Sequence, residues 1–280
     1  MSALAPSDLF AGKTAVVTGA SAGIGEGFAR YAAGLGMKLV LADIAADRLE
    51  SVAAQLRANG AEVEAVVTDV SDPQSVEAMA SQAVGRFGQV DMVINNAGIM
   101  AMGFSWEVPA ERWDSVLRVN IGGYVNVMRA FIPRMLQQKT QGWFLQVSSI
   151  GGMFPSPLMA PYSVTKFGTL ALTESLYYEL QMQEAPIQVS VVLPDSVKSD
   201  IFSSAKEGAT LPAAQAFNDA LQQRADEMGI TAEEHARRVF EQVAEGRYWV
   251  TPQPEAIDQG VVPRAEMIRA RVNPQLSFEV

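Results

Sequence analysis

From residue 13 to about residue 193, short apolar, β-branched runs alternate with longer stretches of helical periodicity. This alternation constrains the fold more than any other feature of the sequence. Strand-like runs stand at Thr14–Thr18, Lys38–Ala42, Glu62–Thr68, Met92–Ile94, Trp143–Val147 and Ile187–Leu193. Helical patterns fill the intervals at about 23–35, 45–58, 72–86, 110–137 and 160–182. Strands separated by helices are parallel, and each crossover is right-handed, so the helices cover both faces of one sheet. Runs that are apolar throughout suit strands covered on both sides. After Leu193 the rhythm breaks. Residues 195–230, with Gly208 and Pro212, read as a substrate-loop region without a clean strand–helix unit. Thr231 with Glu234 three positions on reads as a capping box for a helix to about Glu245. Arg247–Thr251 follows as a seventh strand, and the tail from Pro252 is expected to wrap on the surface or serve assembly. No linker-like composition divides the chain, so residues 1–280 read as one α/β domain with a doubly wound parallel sheet of about seven strands.

Charge and residue usage exclude several functions. The net charge of −10, from 21 basic and 31 acidic residues, disfavours nucleic acid and anionic membrane surfaces as partners. There is no cysteine and one histidine, His235, so neither a thiol nucleophile nor a His- or Cys-ligated metal site is expected. Met1–Phe10 lacks a basic start and an apolar run, and no apolar run reaches the ~20 residues of a spanning helix. A cytoplasmic protein is expected.

Between the first strand and the first long helix stands Thr18-Gly19-Ala20-Ser21-Ala22-Gly23-Ile24-Gly25. Glycines there allow a tight turn and close approach of a pyrophosphate, and the helix start aims free N–H groups at it. Gly19, Ser21, Gly23, Ile24 and Gly25 are therefore the expected phosphate-side contacts. Asp43 ends the second strand, where a carboxylate accepts from both adenosine ribose hydroxyls and repels a 2′-phosphate. The neighbours that would balance such a phosphate are Ala22 and Ile44, neither of them basic, so NAD is favoured over NADP. Asp69 and Val70, at the end of the third strand, are placed to hold the adenine edge.

Of six tyrosines, only Tyr162 has a lysine four residues on, Lys166, which puts the two on one helix face. The helix they open follows the fifth strand, at the carboxyl edge where such sheets bind ligands. Taken with Thr18-Gly19-x-x-x-Gly23-x-Gly25, Asn95-Asn96-Ala97-Gly98, Asn120 and Ser149, the pair makes residues 10–200 resemble the short-chain dehydrogenase/reductase family, with its Rossmann fold. Ser149 is chosen over Ser148 because it precedes Tyr162 by thirteen residues.

The resemblance implies a hydride-transferring oxidoreductase that interconverts a small-molecule secondary alcohol and a ketone with NAD. Tyr162 is then the general base or acid, Lys166 holds the nicotinamide ribose, and Ser149 bonds the substrate oxygen. Asn120 anchors a water chain from Lys166, and Asn96, Ala97 and Gly98 line the cofactor cleft. A phenol must come down by about 3–4 kcal/mol to act as a base near neutral pH. One positive charge ~5 Å away at an effective dielectric of ~20 supplies about 3 kcal/mol. Lys166 and the oxidised ring together are therefore expected to lower Tyr162.

Where the family usually has Pro-Gly, this chain has Pro194-Asp195-Ser196-Val197. The backbone of Val197 is still expected to meet the carboxamide, while the loss of glycine changes the demands on the loop. The run from Pro194 to Ile201 is similar to a branch that acts on large secondary alcohols, including benzylic ones. Met100, Met102, Phe104, Met153, Phe154, Leu158, Met159, Ile201 and Phe202 are expected around the substrate, and no arginine stands among them to hold a carboxylate. A bulky apolar or aromatic substrate follows. The alternatives are an NADPH-dependent ketone reductase, opposed by Asp43, and a catalytically silent NAD-binding regulator, opposed by the intact Ser149, Tyr162 and Lys166. His235 reads as a solvated or locally bonded histidine. Surplus apolar residues on the 110–137 and 160–182 helices lead, through the resemblance, to an expected homodimer or homotetramer.

Overall fold

The computed structural model describes residues 5–199 and 212–275. Its strands are β1 (Thr14–Thr18), β2 (Lys38–Asp43), β3 (Val63–Val67), β4 (Met92–Asn95), β5 (Gly142–Val147), β6 (Ile187–Val192) and β7 (Trp249–Val250). They form one sheet in the order β3-β2-β1-β4-β5-β6-β7, with every pair parallel. The helices that connect them are α1 (Pro6–Phe10), α2 (Gly23–Gly34), α3 (Ala46–Ala58), α4 (Pro73–Phe87), α5 (Ala110–Leu117), α6 (Tyr124–Gln138) and α7 (Ala160–Met182). After β6 come α8 (Pro212–Met228), α9 (Ala232–Ala244) and α10 (Val262–Ala270). Among the described residues no helix is long and apolar enough to cross a membrane.

Successive side chains of a strand point to opposite faces, and both faces here are covered. Ala15 and Val17 join Phe28 of α2, Leu49 of α3 and Phe240 of α9 in one core. Val16, between them, joins Met79 of α4, Phe131 of α6 and Leu176 of α7 in the other. Phe10 of α1 closes the first core edge-on against Trp143 and Phe240, with ring centroids 5.2 and 5.3 Å away.

Three departures from the sequence expectation have local causes. The 110–137 helix is interrupted by a wide π-helical turn at Arg118–Gly123, which carries Asn120. The region 195–230 contains a regular helix, α8: Pro212 starts it rather than breaking it, and Ala214, Phe217, Leu221 and Ala225 make its inward stripe. His235 is neither solvated nor locally bonded. It lies on the apolar face of α9, fully buried, with both ring nitrogens unpaired and its ring 5.4 Å from that of Phe28. Thr231 does cap α9, accepting from the Glu234 N–H at 3.1 Å, while the Glu234 carboxylate turns to Arg237 and Arg238.

Burial pushes the His235 imidazole down to about 4, from an ordinary 6.5. Between those two values the unfolded chain takes up a proton that the folded chain refuses, so stability falls as the pH drops through the window. The melting temperature should therefore decline between pH 6.5 and 4 by the equivalent of roughly 3 kcal/mol. His235→Phe should flatten that slope, and an unchanged slope would assign it to other groups.

Candidate active site

The carboxyl ends of β1, β2, β4 and β5 gather the residues singled out in the sequence. After β1 the chain turns through Gly19 and Ser21 into α2, whose start has no side-chain cap. Its first N–H groups are thus left for an anion. A Cβ on Gly25 would stand 1.9 Å from the Gly19 carbonyl oxygen, so only glycine lets α2 begin so close to the turn. Asp43 accepts from the Ser21 N–H at 3.1 Å and from the Ala45 N–H at 2.9 Å. These two bonds fix the carboxylate at the mouth of the turn, and each oxygen keeps a lone pair for a ribose hydroxyl. Beside it Ile44 is exposed, an apolar surface suited to a purine face. Asp69 accepts from both the N–H and the hydroxyl of Ser71 on one oxygen, while the Val70 side chain packs towards Gly123.

On β4's side of the cleft, Asn96 is a tie. Its side-chain nitrogen donates to the carbonyls of Thr18 and Gly19 at 2.9 and 3.4 Å. The N–H groups of Asn96 and Ala97 donate to the Thr18 hydroxyl at 2.9 and 3.1 Å. Asn120 is a second such tie, further along the chain. Its oxygen accepts from the Ile99 N–H at 2.8 Å, and its nitrogen donates to the Ile99 carbonyl at 2.9 Å and to the Thr165 hydroxyl at 3.1 Å. Every hydrogen-bonding site of that amide nitrogen is taken by protein. The Asn120 side-chain oxygen, with one bond from Ile99, keeps a second lone pair.

β5 ends at Val147, and α7 opens with Pro161 in its first turn, which sets Tyr162 at the sheet edge. The Ser149 side chain lies beside the Tyr162 phenol, close enough to draw it down. Ser148 points away and donates to the Lys166 carbonyl at 2.9 Å. Lys166 is buried and donates to the Val147 carbonyl at 3.0 Å, with its Nζ 5.5 Å from the Tyr162 ring centroid. Burial holds the Tyr162 phenol above its ordinary value, and only the Ser149 side chain pulls it down. Of the two charges expected to lower Tyr162, Lys166 and the oxidised ring, Lys166 contributes no lowering in the protein alone. That amine is itself pushed down to about 8 by burial and is turned to a carbonyl. In the protein alone, Tyr162 is a proton donor.

The replacement of glycine by Asp195 is accommodated without strain. The non-glycine residues with left-handed backbone among those described are Lys139, Leu158, Glu184 and Arg271, so position 195 makes no demand for glycine. The Asp195 carboxylate meets Arg224 of α8 at 3.3 Å, and its N–H donates to Gln253. Pro194 accepts from the Ile150 N–H at 2.9 Å, and Val197 forms a parallel bridge with Ile230.

The expected substrate lining divides. Met100, Met102 and Met159 cluster with Tyr162 and are covered by Ala214, Phe217 and Leu221 of α8. Leu158 is buried beside them in left-handed backbone, its carbonyl accepting from Gly103. Met153 joins a separate cluster with Leu170 and Leu193. Phe154 lies under Gly260, whose Cβ would meet its ring at 2.3 Å, so the tail and not the substrate covers it. Phe104 stacks outward on exposed Trp106. Ile201 and Phe202 lie outside the described residues. Reading the sequence placed Thr18 in the glycine motif but missed its bonds to Asn96 and Ala97, and it missed Thr165, Tyr124 and α8. The helical spacing of α8 was there to be found, whereas the other three make contacts that only the fold creates.

A family model described as short chain dehydrogenase matches residues 13–210. A CLA biosynthesis dehydrogenase/reductase of Lactiplantibacillus plantarum is 37% identical over 69% of this chain and 68% of its own length. A 1-deoxy-11-beta-hydroxypentalenate dehydrogenase of Streptomyces exfoliatus is 33% identical over 87% of this chain and 84% of its own. Among solved structures, a short chain dehydrogenase/reductase from Burkholderia phymatum in complex with NAD superposes with a TM-score of 0.92 at 35% identity. It covers 97% of this chain and 99% of its own.

Asn120→Ala would remove, from the π-helical turn, the side chain that pairs both polar groups of the Ile99 backbone. It should cost about 1–2 kcal/mol of stability, since water can reach exposed Ile99, read as a lowered urea midpoint. A loss of rate with an unmoved midpoint would show that the clamp is not what Asn120 supplies.

Proposed function

The chain belongs to the short-chain dehydrogenase/reductase family, and on that premise we propose that it is an NAD-dependent dehydrogenase interconverting a secondary alcohol and a ketone on a bulky apolar substrate. The observation that carries this reading is the meeting of Ser149 and the Tyr162 phenol beside buried Lys166, at the sheet edge shared with the uncapped start of α2. Gly19, Ser21, Gly23, Ile24 and Gly25 would hold the diphosphate, Asp43 the adenosine ribose, and Asp69 and Val70 the adenine edge. Ala97, Gly98, Pro194 and Val197 would line the nicotinamide end, with Asn96 bracing that wall. NAD rather than NADP is supported by the fixed Asp43 carboxylate and by the NAD bound in the Burkholderia phymatum relative.

When bound, the nicotinamide ring accepts or supplies the hydride, and all proton handling falls to the chain's own residues. In ketone reduction the Tyr162 hydroxyl gives its proton to the carbonyl oxygen while Ser149 donates a hydrogen bond to the same atom. A phenol held above its ordinary value is ready for that direction. Alcohol oxidation runs the transfer in reverse and needs the Tyr162 anion to be stabilised, which falls to the charge of Lys166 turned towards the cleft. Asn120 keeps the Ile99 wall in place below. The methionine cluster under α8 supports an apolar substrate, since methionine packs against irregular shapes. The Streptomyces exfoliatus relative has a substrate that carries a hydroxyl group. Exposed Leu117 of α5 and Val164, Tyr178 and Met182 of α7 support association of copies into a dimer or tetramer.

The test is NADH formation with a panel of aliphatic, benzylic and polycyclic secondary alcohols, with NADP in parallel. Tyr162→Phe should reduce turnover at least about a thousandfold while calorimetry finds NAD affinity within a few-fold of wild type. Retained turnover would remove Tyr162 from the reaction. Asp43→Ala should weaken NAD by about tenfold and narrow its advantage over NADP; an unchanged preference would place discrimination elsewhere.

A further inference from the structure

β4 pairs with β5 only as far as Asn95 and Gln146, so the Val147 carbonyl stands one residue beyond that ladder. Two side chains reach it. Tyr124, the first residue of α6, donates its hydroxyl at 2.6 Å, and Lys166 donates from Nζ at 3.0 Å. Both side chains are buried, and the Lys166 Nζ lies 5.6 Å from the Tyr124 ring centroid and 5.5 Å from that of Tyr162. The lysine head is thus held against two tyrosine rings and shares one acceptor with one of them. Tyr124 is anchored in turn by Asn95, whose side-chain nitrogen donates to its carbonyl at 3.2 Å and to Gln146 at 2.8 Å. Burial, and then the nearby Tyr162, keep the Tyr124 phenol protonated, so it is a permanent donor.

A carbonyl oxygen has two lone pairs and can satisfy both donors at once. Losing one of them is cheap, whereas losing the last strands a buried acceptor. We propose that Tyr124 is a positioning residue for Lys166: by holding the Val147 carbonyl, it lets the lysine turn to the cofactor ribose without leaving that oxygen unpaired. The second half rests on the proposed function, since it gives Lys166 a cofactor to turn to. With phenylalanine at 124, Lys166 becomes the sole donor and is retained on the carbonyl.

Two measurements on the full chain separate the halves. In the protein without cofactor, urea midpoints are compared for wild type, Tyr124→Phe, Lys166→Met and the double variant. A shared acceptor predicts that the double variant loses more than the sum of the singles, because only there is the oxygen stranded. Additive losses would overturn the proposal. NAD dissociation constants are then measured by calorimetry on the same four proteins. Tyr124→Phe should weaken NAD by about tenfold where Lys166 is present and leave it unchanged in the Lys166→Met background. Equal weakening in both backgrounds would make Tyr124 a structural residue and overturn its positioning role. If wild type binds no NAD while the midpoints are non-additive, the proposed function fails and takes the handover with it, and the shared acceptor stands.

Discussion

A parallel sheet satisfies its backbone wherever a neighbouring strand runs alongside, and it runs out of partners where the strands end. In a sheet buried on both faces, water cannot make up the shortfall, so side chains must. The carboxyl edge here is organised around that need. Thr18 accepts the N–H groups that follow β4, Asn96 returns donors to the end of β1, and Asn120 satisfies both polar groups of Ile99. Lys166 and Tyr124 converge on the carbonyl that closes β5. Several residues that read as chemical groups are therefore also the fasteners of the sheet edge.

This double duty shapes the electrostatics. A lysine recruited to a buried carbonyl is desolvated and becomes a weaker base, and a tyrosine above it is kept protonated by the same burial. Polar bonds inside such a site are strengthened by the low local dielectric, which also makes any unpaired group expensive. Beside that site, the chain that carries Asn120 is wound irregularly. The π-helical turn at Arg118–Gly123 exposes a side of the helix that regular winding would have used internally, which suits Asn120 to reach sideways to Ile99.

The layer order and most element boundaries were legible because they depend on local pattern. Two-sided apolar runs and helical spacing carry that information in a window of a dozen residues. The Tyr162–Lys166 offset was legible for the same reason, being a relation within one helix. Less legible was whatever depends on chain segments meeting from afar. Nothing near Tyr124 in the sequence marks Val147 as its acceptor, and nothing near Phe154 marks Gly260 as its cover. The inward turn of His235 was legible in principle, since Ala236, Val239, Phe240 and Val243 share its face. There, the polar identity of the residue outweighed the pattern around it. Least legible was the burial of Tyr162, whose desolvation raises the phenol in the protein alone and opposes the charges counted from the sequence.

The segment that follows β6 has a modular consequence. Asp195 is joined to Arg224 on α8 and, through its N–H, to Gln253 in the tail, while Gln253 also donates to the Ser196 carbonyl. Val197 and Lys198 are stitched to Ile230 just beyond α8. Three stretches separated in the chain are thus one mechanical unit. A designer transplanting the loop from a relative with glycine at position 195 would leave Arg224 without its acid and remove the side chain that ties the loop to α8. This region of the scaffold is therefore exchangeable as a cassette of loop, helix and tail, and not as a loop alone.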